Sequence, residues 1–264
     1  MADTTPTPTP AITAMMLVRD REDLLGAAAR SVLDQTDRDL ELVICDDGSV
    51  DGSRAIAERL AAADSRVRVL RNERSRGIPA ARNQVLAAAR GEYLAICDSD
   101  DISMPERFAR QRAALDADAA LAGVGSRFAA FEGDDPAAGS EPGWHWGLAD
   151  GRLPFLFPTA MFRVDAMRDA GGFDEGFALA EDLDLTYRLA ARGGRFTIID
   201  EVLLAYRIHG GSITQRRAVA REWHNLRAQV RGLVRLRGRF SARGYAVIIQ
   251  SVLRTLTAVV GLRR

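Results

Sequence analysis

The sequence predicts an α/β fold in which a mostly parallel central sheet is flanked by helices. Short apolar runs alternate with stretches of helical periodicity through the first half of the chain. Two of these runs end in clusters of acidic residues, as strands that open onto a binding crevice do. Of the 264 residues, 47% are hydrophobic, which suffices for a sizeable buried core. Strands that alternate with helices imply parallel pairing with right-handed crossovers.

The elements follow one another with clear boundary signals. Gly91 is predicted to stop the third helix, and Pro105 fits the first turn of the fourth. The predicted elements are a strand at 11–18, a helix at 21–34, a strand at 40–47, a helix at 54–63, a strand at 66–72, a helix at 78–90, a strand beginning at 93 and a helix at 105–117.

The ends of the chain differ from its centre in composition. The Thr-Pro repeat of residues 1–10 predicts a disordered tail. The chain shows neither a secretion signal nor a membrane-spanning apolar run, and Cys45 and Cys97 lie in apolar runs that suit reduced, buried thiols. These features predict a cytoplasmic protein.

All 36 basic residues are arginine, which balances 36 acidic residues to a net charge of zero. The absence of lysine excludes phosphate-loop, Schiff-base and pyridoxal phosphate chemistry, each of which needs an amine. The charge is unevenly spread, because twelve arginines and one acid, Glu222, lie from residue 216 onward.

Two acidic clusters indicate a cation site. Asp46 and Asp47 close the second strand, and Asp98, Asp100 and Asp101 close the fourth. Like charges this close repel one another unless a positive charge lies among them. The carboxyl ends of parallel strands meet at one edge of a sheet, so both clusters are expected to line one crevice. Carboxylates that hold Mg²⁺ or Mn²⁺ leave positions for phosphate oxygens, and a nucleoside diphosphate is the expected ligand. For either cluster alone, solvated acids in a turn would be the simpler interpretation.

Six motifs in consistent order carry a family resemblance between about residues 12 and 214. They are SVLDQT (31–36), LELVICDDGSVDGS (40–53), GIPAARNQVLAAARGEYLAICDSDD (77–101), GGFDE (171–175), EDLDLTYRL (181–189) and YRIHGGS (206–212). The chain resembles the inverting family 2 glycosyltransferases. The resemblance implies a GT-A type, Rossmann-like sandwich over 11–214, with a nucleotide-binding half at 11–101, an acceptor-binding half at 102–214 and a basic helical tail at 215–264.

The resemblance also implies an activity: transfer of a sugar from a nucleotide sugar, with a UDP sugar favoured, to a hydroxyl of a glycan or lipid-linked glycan, assisted by Mn²⁺ or Mg²⁺. Polysaccharide biosynthesis is the expected setting.

Residue roles follow by position from the same resemblance. Asp182 corresponds to the general base. The implied nucleotide-sugar contacts are Leu17, Arg19, Asp46, Asp47, Arg82, Asp98, Ser99 and Asp100, and the implied metal ligands are Asp100, Asp101 and His209. A carboxylate at a helix start, such as Asp182, is kept ionised by the helix dipole. A surface turn is the alternative for His209.

Two regions carry weaker predictions. The first strand departs from the family's Pro-Val-Tyr-Asn-like ending, since it reads Leu17-Val18-Arg19-Asp20, and Arg19 would alter base preference or reach the phosphates. Trp144 and Trp146, with Glu181, are candidate acceptor contacts; anchoring of a loop to the core is the alternative for the tryptophans.

The basic tail permits two interpretations. Arg227, Arg231 and Arg235 are four residues apart and form one cationic helix face, ahead of an apolar stretch. This face is expected either to contact an anionic membrane at its inner surface or to belong to a helix pair packed on the domain with its arginines solvated. Nucleic acid is not expected as a partner.

Two other classes of function compete with the transferase. One is a sugar-nucleotide binding module without catalysis, which the altered first strand suggests. The other is a phosphatase of the haloacid dehalogenase type, which YLAICDSDD (93–101) also resembles, with Asp98 as nucleophile and Asp100 as acid. That family normally uses a downstream lysine, which this chain lacks.

Overall fold

The computed structural model describes residues 9–141, 147–209 and 218–261. The strands are β1 (Ile12–Val18), β2 (Leu40–Asp47), β3 (Val67–Asn72), β4 (Tyr93–Asp98), β5 (Ile102–Ser103), β6 (Leu121–Phe131), β7 (Met161–Arg163) and β8 (Arg195–Arg207). The α-helices are α1 (Leu25–Leu33), α2 (Ser53–Ala63), α3 (Ile78–Ala88), α4 (Arg107–Ala117), α5 (Val164–Asp169), α6 (Glu181–Ala191), α7 (Ala218–Arg235) and α8 (Ala242–Gly261).

The predicted α/β class and the predicted parallel pairing are confirmed. The eight strands form one sheet in the order β3-β2-β1-β4-β7-β6-β8-β5. The pairs β1–β2, β2–β3, β1–β4 and β6–β8 are parallel, whereas β7 runs antiparallel to both of its neighbours and β5 runs antiparallel to β8. The sheet is therefore mostly parallel, with its reversal at β7.

The apolar runs form strands because both faces of the sheet are covered. In β1 the side chains of Ile12, Ala14 and Met16 pack on one face and that of Met15 on the other. Such two-sided burial explains why β1 and β2 read as continuous apolar runs rather than alternating ones.

The register places the two acidic clusters at the same edge of the sheet. β1 lies between β2 and β4, with Val18 opposite Asp46 and Leu17 opposite Asp98. Both acidic strand ends therefore flank the carboxyl end of β1. The predicted common edge is confirmed.

Three helix boundaries differ from the prediction by two residues or more. Helix α4 begins at Arg107 with Glu106 as its N-cap, so Pro105 precedes the helix and is not in its first turn. Helix α1 begins at Leu25 instead of residue 21, because the backbone N–H of Arg21 donates to Ser53 Oγ and so joins the preceding loop to the start of α2. Gly91 does not end α3, which stops at Ala88. A Cβ at Gly91 would lie 2.6 Å from the backbone nitrogen of Thr13, so this glycine permits the close approach of β1.

The arginine face of the tail points at the protein. The predicted helix pair does pack on the domain, but its arginines are paired with domain residues and are not simply solvated; contact of the tail with a membrane stays a prediction. Arg231 forms an ion pair with Asp174 and Arg235 with Asp184, at 2.8 and 2.6 Å, and Arg227 donates to the carbonyl oxygen of Gly176. These arginines thus hold α7 against α6 and the loop before it, although the side chains of Arg231 and Arg235 remain 38% and 30% exposed. Across the part of the chain that the structure describes, none of the helices combines the length and the hydropathy that spanning a bilayer requires.

Candidate active site

The acidic corner, Asp46 and Asp47, is saturated by the protein itself. Asp46 is fully buried; its Oδ1 accepts from the backbone of Ser49 and its Oδ2 from Arg54 Nε, both at 2.9 Å. The two oxygens of Asp47 accept four bonds, donated by Asn72 Nδ2, Ser75 Oγ and the backbone N–H groups of residues 76 and 77. Burial alone would raise the pKa of Asp47, but these donors outweigh it and the pKa is lowered. The corner therefore organises the loops that follow β2 and β3.

The acidic cluster at the end of β4, unlike the acidic corner, is not saturated by hydrogen-bond donors of the described residues. Asp98, Asp100 and Asp101 each offer one carboxylate oxygen within 4.8 Å of the others. Burial and the Asp100 charge raise the pKa of Asp98 to about 6, and burial with the charges of Asp98 and Asp100 raises the pKa of Asp101 well above its usual range. Asp101 Oδ1 accepts from the backbone N–H of Arg207 at 2.8 Å, whereas its buried Oδ2 meets no hydrogen-bond donor among the described residues.

Three cationic or ionisable side chains surround Asp100. Its Oδ2 lies 2.9 Å from His209 Nε2 and 3.5 Å from Arg21 Nε, and its backbone carbonyl accepts from Arg207 Nε at 3.0 Å. His209 thus lies beside the cluster, as its predicted place among the metal ligands requires. No sequence pattern indicated a role for Arg21 or Arg207, although Arg207 lies inside the YRIHGGS motif.

A buried arginine supports the cluster from beneath the sheet edge. Arg107 is fully buried, donates to the carbonyl oxygens of Ile96 and Ala160, and bonds Ser103 Oγ. Its charge acts on Asp98 and Asp101 and favours their ionised forms. Its position on a mostly polar helix offered no sequence signal, because the contacts come from two distant strands.

The opposite wall of the site is the start of α6. Arg82 Nη1 donates to Glu181 Oε1 at 2.6 Å, and its guanidinium lies over the rings of Phe157 and Phe173. Burial raises the pKa of Glu181 to about 7 against the charge of Arg82, with Asp182 and Asp98 adding to the rise. The Glu181 carboxylate is thereby committed to Arg82. Its contact with an acceptor stays a prediction.

The side chain of Asp182 is a partly buried carboxylate at the helix start. Its Oδ1 accepts from the backbone N–H of Leu183 at 2.7 Å, and burial raises its pKa although Arg82 opposes the rise. The charge of Asp182 in turn raises the pKa of Asp98. Asp182 and the β4 cluster therefore share one electrostatic environment. We call Asp98, Asp100, Asp101, Glu181 and Asp182 the acidic centre.

The acidic centre fits a hard divalent cation. It provides clustered carboxylate oxygens, the ligands that Mg²⁺ and Mn²⁺ prefer. The raised pKa values of Asp98 and Asp101 and the undonated Oδ2 of Asp101 mark negative charge that the described residues leave incompletely compensated. The group able to hold such an ion is Asp98, Asp100 and Asp101. His209, whose Nε2 lies 2.9 Å from Asp100 Oδ2, stays a predicted ligand.

The remaining predicted site residues lie at the edges of this region. Leu17 is opposite Asp98 in the sheet, and Ser99 is buried within the cluster. Arg19 is 58% exposed beside Asp20, so Arg21 rather than Arg19 points at the acids. Trp144 and Trp146 lie outside the described residues.

The family model for glycosyl transferase family 2 matches residues 13–168, which is more than half of the chain. The chain belongs to glycosyl transferase family 2. This glycosyltransferase is 30% identical over 217 residues to EpsE of Bacillus subtilis strain 168, whose name assigns it as a glycosyltransferase; the match covers 78% of this chain and 76% of EpsE. It is 29% identical to the succinoglycan biosynthesis protein ExoO of Rhizobium meliloti over 78% of this chain and 63% of ExoO. Family membership removes the phosphatase alternative.

Solved structures share the fold. Staphylococcus aureus TarS 1–349, in complex with UDP-GlcNAc, superposes with a TM-score of 0.71 at 18% identity, over 93% of this chain and 71% of that chain. The mannosyltransferase PcManGT of Pyrobaculum calidifontis, in complex with GDP-Man and Mn²⁺, gives 0.68 at 19% identity, over 93% and 70%. These neighbours confirm the GT-A architecture that the motifs predicted.

Proposed function

We propose that this glycosyltransferase moves a sugar, with inversion, from a nucleoside-diphosphate sugar to a hydroxyl of a lipid-linked glycan during polysaccharide biosynthesis. The observation that carries the proposal is the acidic centre: three incompletely compensated carboxylates at the end of β4, with Glu181 and Asp182 at the start of α6 close enough to interact with Asp98 through their charges. A divalent cation, Mn²⁺ or Mg²⁺, would supply the charge that stabilises the departing diphosphate. Proton transfer and binding of the nucleotide sugar are assigned to side chains of this protein.

Asp182 is assigned the proton transfer. In an inverting transfer the acceptor hydroxyl attacks the anomeric carbon on the side opposite the leaving diphosphate, and its proton must pass to a base. Burial that raises the pKa of Asp182 makes it a stronger base than a solvated carboxylate, while Arg82 and the dipole of α6 keep it ionised. The ion pair of Arg82 with Glu181 fixes the start of the helix that carries this base.

The nucleotide is assigned to the carboxyl ends of β1, β2 and β4. Leu17, Asp47 and Arg82 remain proposed contacts to the donor, with Asp98 and Ser99 near its ribose and phosphates. In the structure Asp47 orders the backbone of residues 75–77, so its contribution to the base would include the placement of that loop. Arg21, beside Asp100, is the arginine placed to reach a diphosphate.

The assigned donor and acceptor classes have support in the comparisons. TarS is solved with UDP-GlcNAc, and PcManGT with GDP-Man. WfgD of Escherichia coli, 37% identical over 100 residues covering 38% of this chain and 39% of WfgD, is named as a UDP-Glc:α-D-GlcNAc-diphosphoundecaprenol β-1,3-glucosyltransferase. We favour a UDP sugar as donor and a polyprenyl-diphosphate-linked glycan as acceptor, met at the inner face of the membrane.

The test combines binding with transfer. Thermal shift is measured with UDP, GDP, dTDP and their sugars, with and without Mn²⁺, because a ligand of the folded state raises the melting temperature. Asp182→Asn should keep the metal-dependent shift and lose sugar transfer by about 10²–10⁴-fold. Asp165→Asn, at an exposed acid of α5, is the matched control and should behave as wild type.

Two outcomes contradict the assignment. A chain that binds no nucleotide in the presence of Mn²⁺ would overturn the donor class. A chain that binds the donor but shows neither transfer nor donor hydrolysis, whatever residue stands at 182, would favour the binding module without catalysis.

A further inference from the structure

Exposed apolar side chains concentrate on the two C-terminal helices. Within residues 9–141, 147–209 and 218–261, ten large hydrophobic side chains are exposed, and seven of them belong to α7 and α8. The seven are Trp223, Val230 and Val234 on α7 and Tyr245, Ile249, Val252 and Leu253 on α8. Scattered single residues of this kind are normal on a protein surface, whereas a concentration marks an interaction site.

The spacing shows that these side chains form stripes. Positions 223, 230 and 234 recur at intervals of seven and four along α7, and positions 245, 249 and 253 at intervals of four along α8, which places each set on one side of its helix. We call the two sets together the apolar stripes. The other side of each helix packs on the catalytic domain, so the stripes are not the sides by which these helices attach to it.

Contacts on the inner sides fix this orientation. A Cβ at Gly232 of α7 would lie 2.6 Å from the ring of Tyr187, and Gln229 donates to the carbonyl oxygen of Gly151. On α8, a Cβ at Gly244 would lie 2.2 Å from the carbonyl oxygen of Ala149. The helices therefore cannot rotate to bury the stripes against the domain.

The charge around the stripes is predominantly positive. Residues 218–261 contain eight arginines and one acid, Glu222. Arg227, Arg231 and Arg235 are engaged with the domain, as described above. Arg237 and Arg239, in the turn between the helices, and Arg243, in the first turn of α8, are exposed.

An arginine of the domain extends this positive region. Burial and the charges of Arg254 and Arg243 lower the pKa of Arg152, and Asp150 opposes this shift only in part. Arg254 also lies 3.9 Å from Glu222, so one acid shares this positive region. Positive groups brought together in this way gain stability from an anion that binds among them.

We propose that the apolar stripes, with Arg237, Arg239 and Arg243, form a docking surface for a bilayer that contains anionic phospholipid. An interfacial helix buries its apolar side at the headgroup boundary while basic side chains meet lipid phosphates. A second copy of the chain fits less well, because a two-fold interface would set this arginine-rich surface against itself. Such docking would bring the enzyme to the membrane that holds a lipid-linked acceptor. The docking proposal rests on the proposed function only in assuming that acceptor.

The experiment is flotation of the full chain with vesicles of phosphatidylcholine alone and of phosphatidylcholine mixed with phosphatidylglycerol. Wild type should float with the anionic vesicles, and binding should weaken about fivefold for each arginine removed in R237Q/R239Q. I249E/L253E should abolish flotation. The matched controls are Ile198→Glu, at an exposed apolar residue of β8, and Arg59→Gln, at an exposed arginine of α2; both should float as wild type does.

A second measurement reports the contact directly. With Trp144 and Trp146 replaced by Phe, the fluorescence of Trp223 should shift to shorter wavelength with anionic vesicles and be quenched by brominated lipid. Absence of flotation, equal flotation with both vesicle types, or self-association in sedimentation that I249E/L253E abolishes would each overturn the proposal. I249E/L253E should retain donor hydrolysis in detergent-free buffer. This measurement separates failure of the membrane-docking proposal from failure of the proposed glycosyltransferase function.

Discussion

The acidic corner and the acidic centre look alike in the sequence and differ in the structure. Both are runs of carboxylates at the ends of parallel strands. At the corner, six hydrogen bonds from the chain saturate Asp46 and Asp47, and the pKa of Asp47 is lowered. At the centre, burial and mutual repulsion raise the pKa values of Asp98 and Asp101. The corner therefore contributes to stability, whereas the centre carries charge that a ligand must compensate.

The largest expected effect is a loss of sugar transfer when a carboxylate of the acidic centre is neutralised. Asp100→Asn keeps the shape of the side chain but removes the charge nearest His209 and Arg21. Sugar transfer should fall about 10²–10³-fold, because a fixed electrostatic group is lost where diphosphate charge develops. Steady-state transfer rates and urea unfolding of the same variant provide the measurement. Retained activity together with reduced stability would show that Asp100, like Asp46 and Asp47, contributes to folding and not to catalysis.

The next effect is on stability and concerns the corner. Asp47→Ala leaves the donors of Asn72, Ser75 and two backbone amides without their acceptor, and the free energy of unfolding should fall by about 3 kcal/mol. Urea denaturation measures it. Asp51→Ala, at a loop acid with fewer and more exposed partners, is the control and should cost less. An Asp47→Ala chain as stable as Asp100→Asn would show that the corner is not the more structural region.

A smaller effect depends on pH and concerns Glu181. Its pKa is about 7 in the folded protein against 4.5 as the ordinary value, so the folded state binds the proton more tightly than the unfolded one. The stability due to this group is fully present below about pH 4.5 and is lost as the pH rises to about 7. Glu181→Gln should remove that decline. The difference between wild-type and variant unfolding free energies, followed across pH 4–8, tests the sign; Glu58→Gln, on the exposed surface of α2, should leave the decline unchanged.

The smallest effect distinguishes two neighbouring arginines. Arg21 lies 3.5 Å from Asp100, whereas Arg19 is largely exposed. Arg21→Gln should raise the KM for the donor about tenfold and change stability by less than about 1 kcal/mol, since partly exposed ion pairs contribute little. Arg19→Gln should change neither. If Arg19→Gln raised the KM more than Arg21→Gln does, Arg19 would again be the favoured contact to the nucleotide sugar, as the sequence suggested.

Local sequence patterns were sufficient to predict the fold class, the order of the elements through α4 apart from the two-residue strand β5, and the shared edge of the two acidic clusters. Periodicity and turn residues are local properties, and parallel strands linked by helices must bring their carboxyl ends together. Motif order was enough to identify the GT-A family and to nominate Asp100, Asp182 and His209.

Tertiary packing determines which carboxylates are hydrogen-bonded and where the tail arginines point. Asp46 and Asp98 occupy similar local sequences, but the partners of Asp46 come from the following loop and helix, while Asp98 feels charges from residues 82, 107 and 182. A four-residue spacing places the arginines on one helix face, but it does not predict the partners of that face. Here the partners are Asp174 and Asp184, which form ion pairs with it. Hydrogen bonds and charge interactions depend on distances between segments remote in the chain, which only packing establishes.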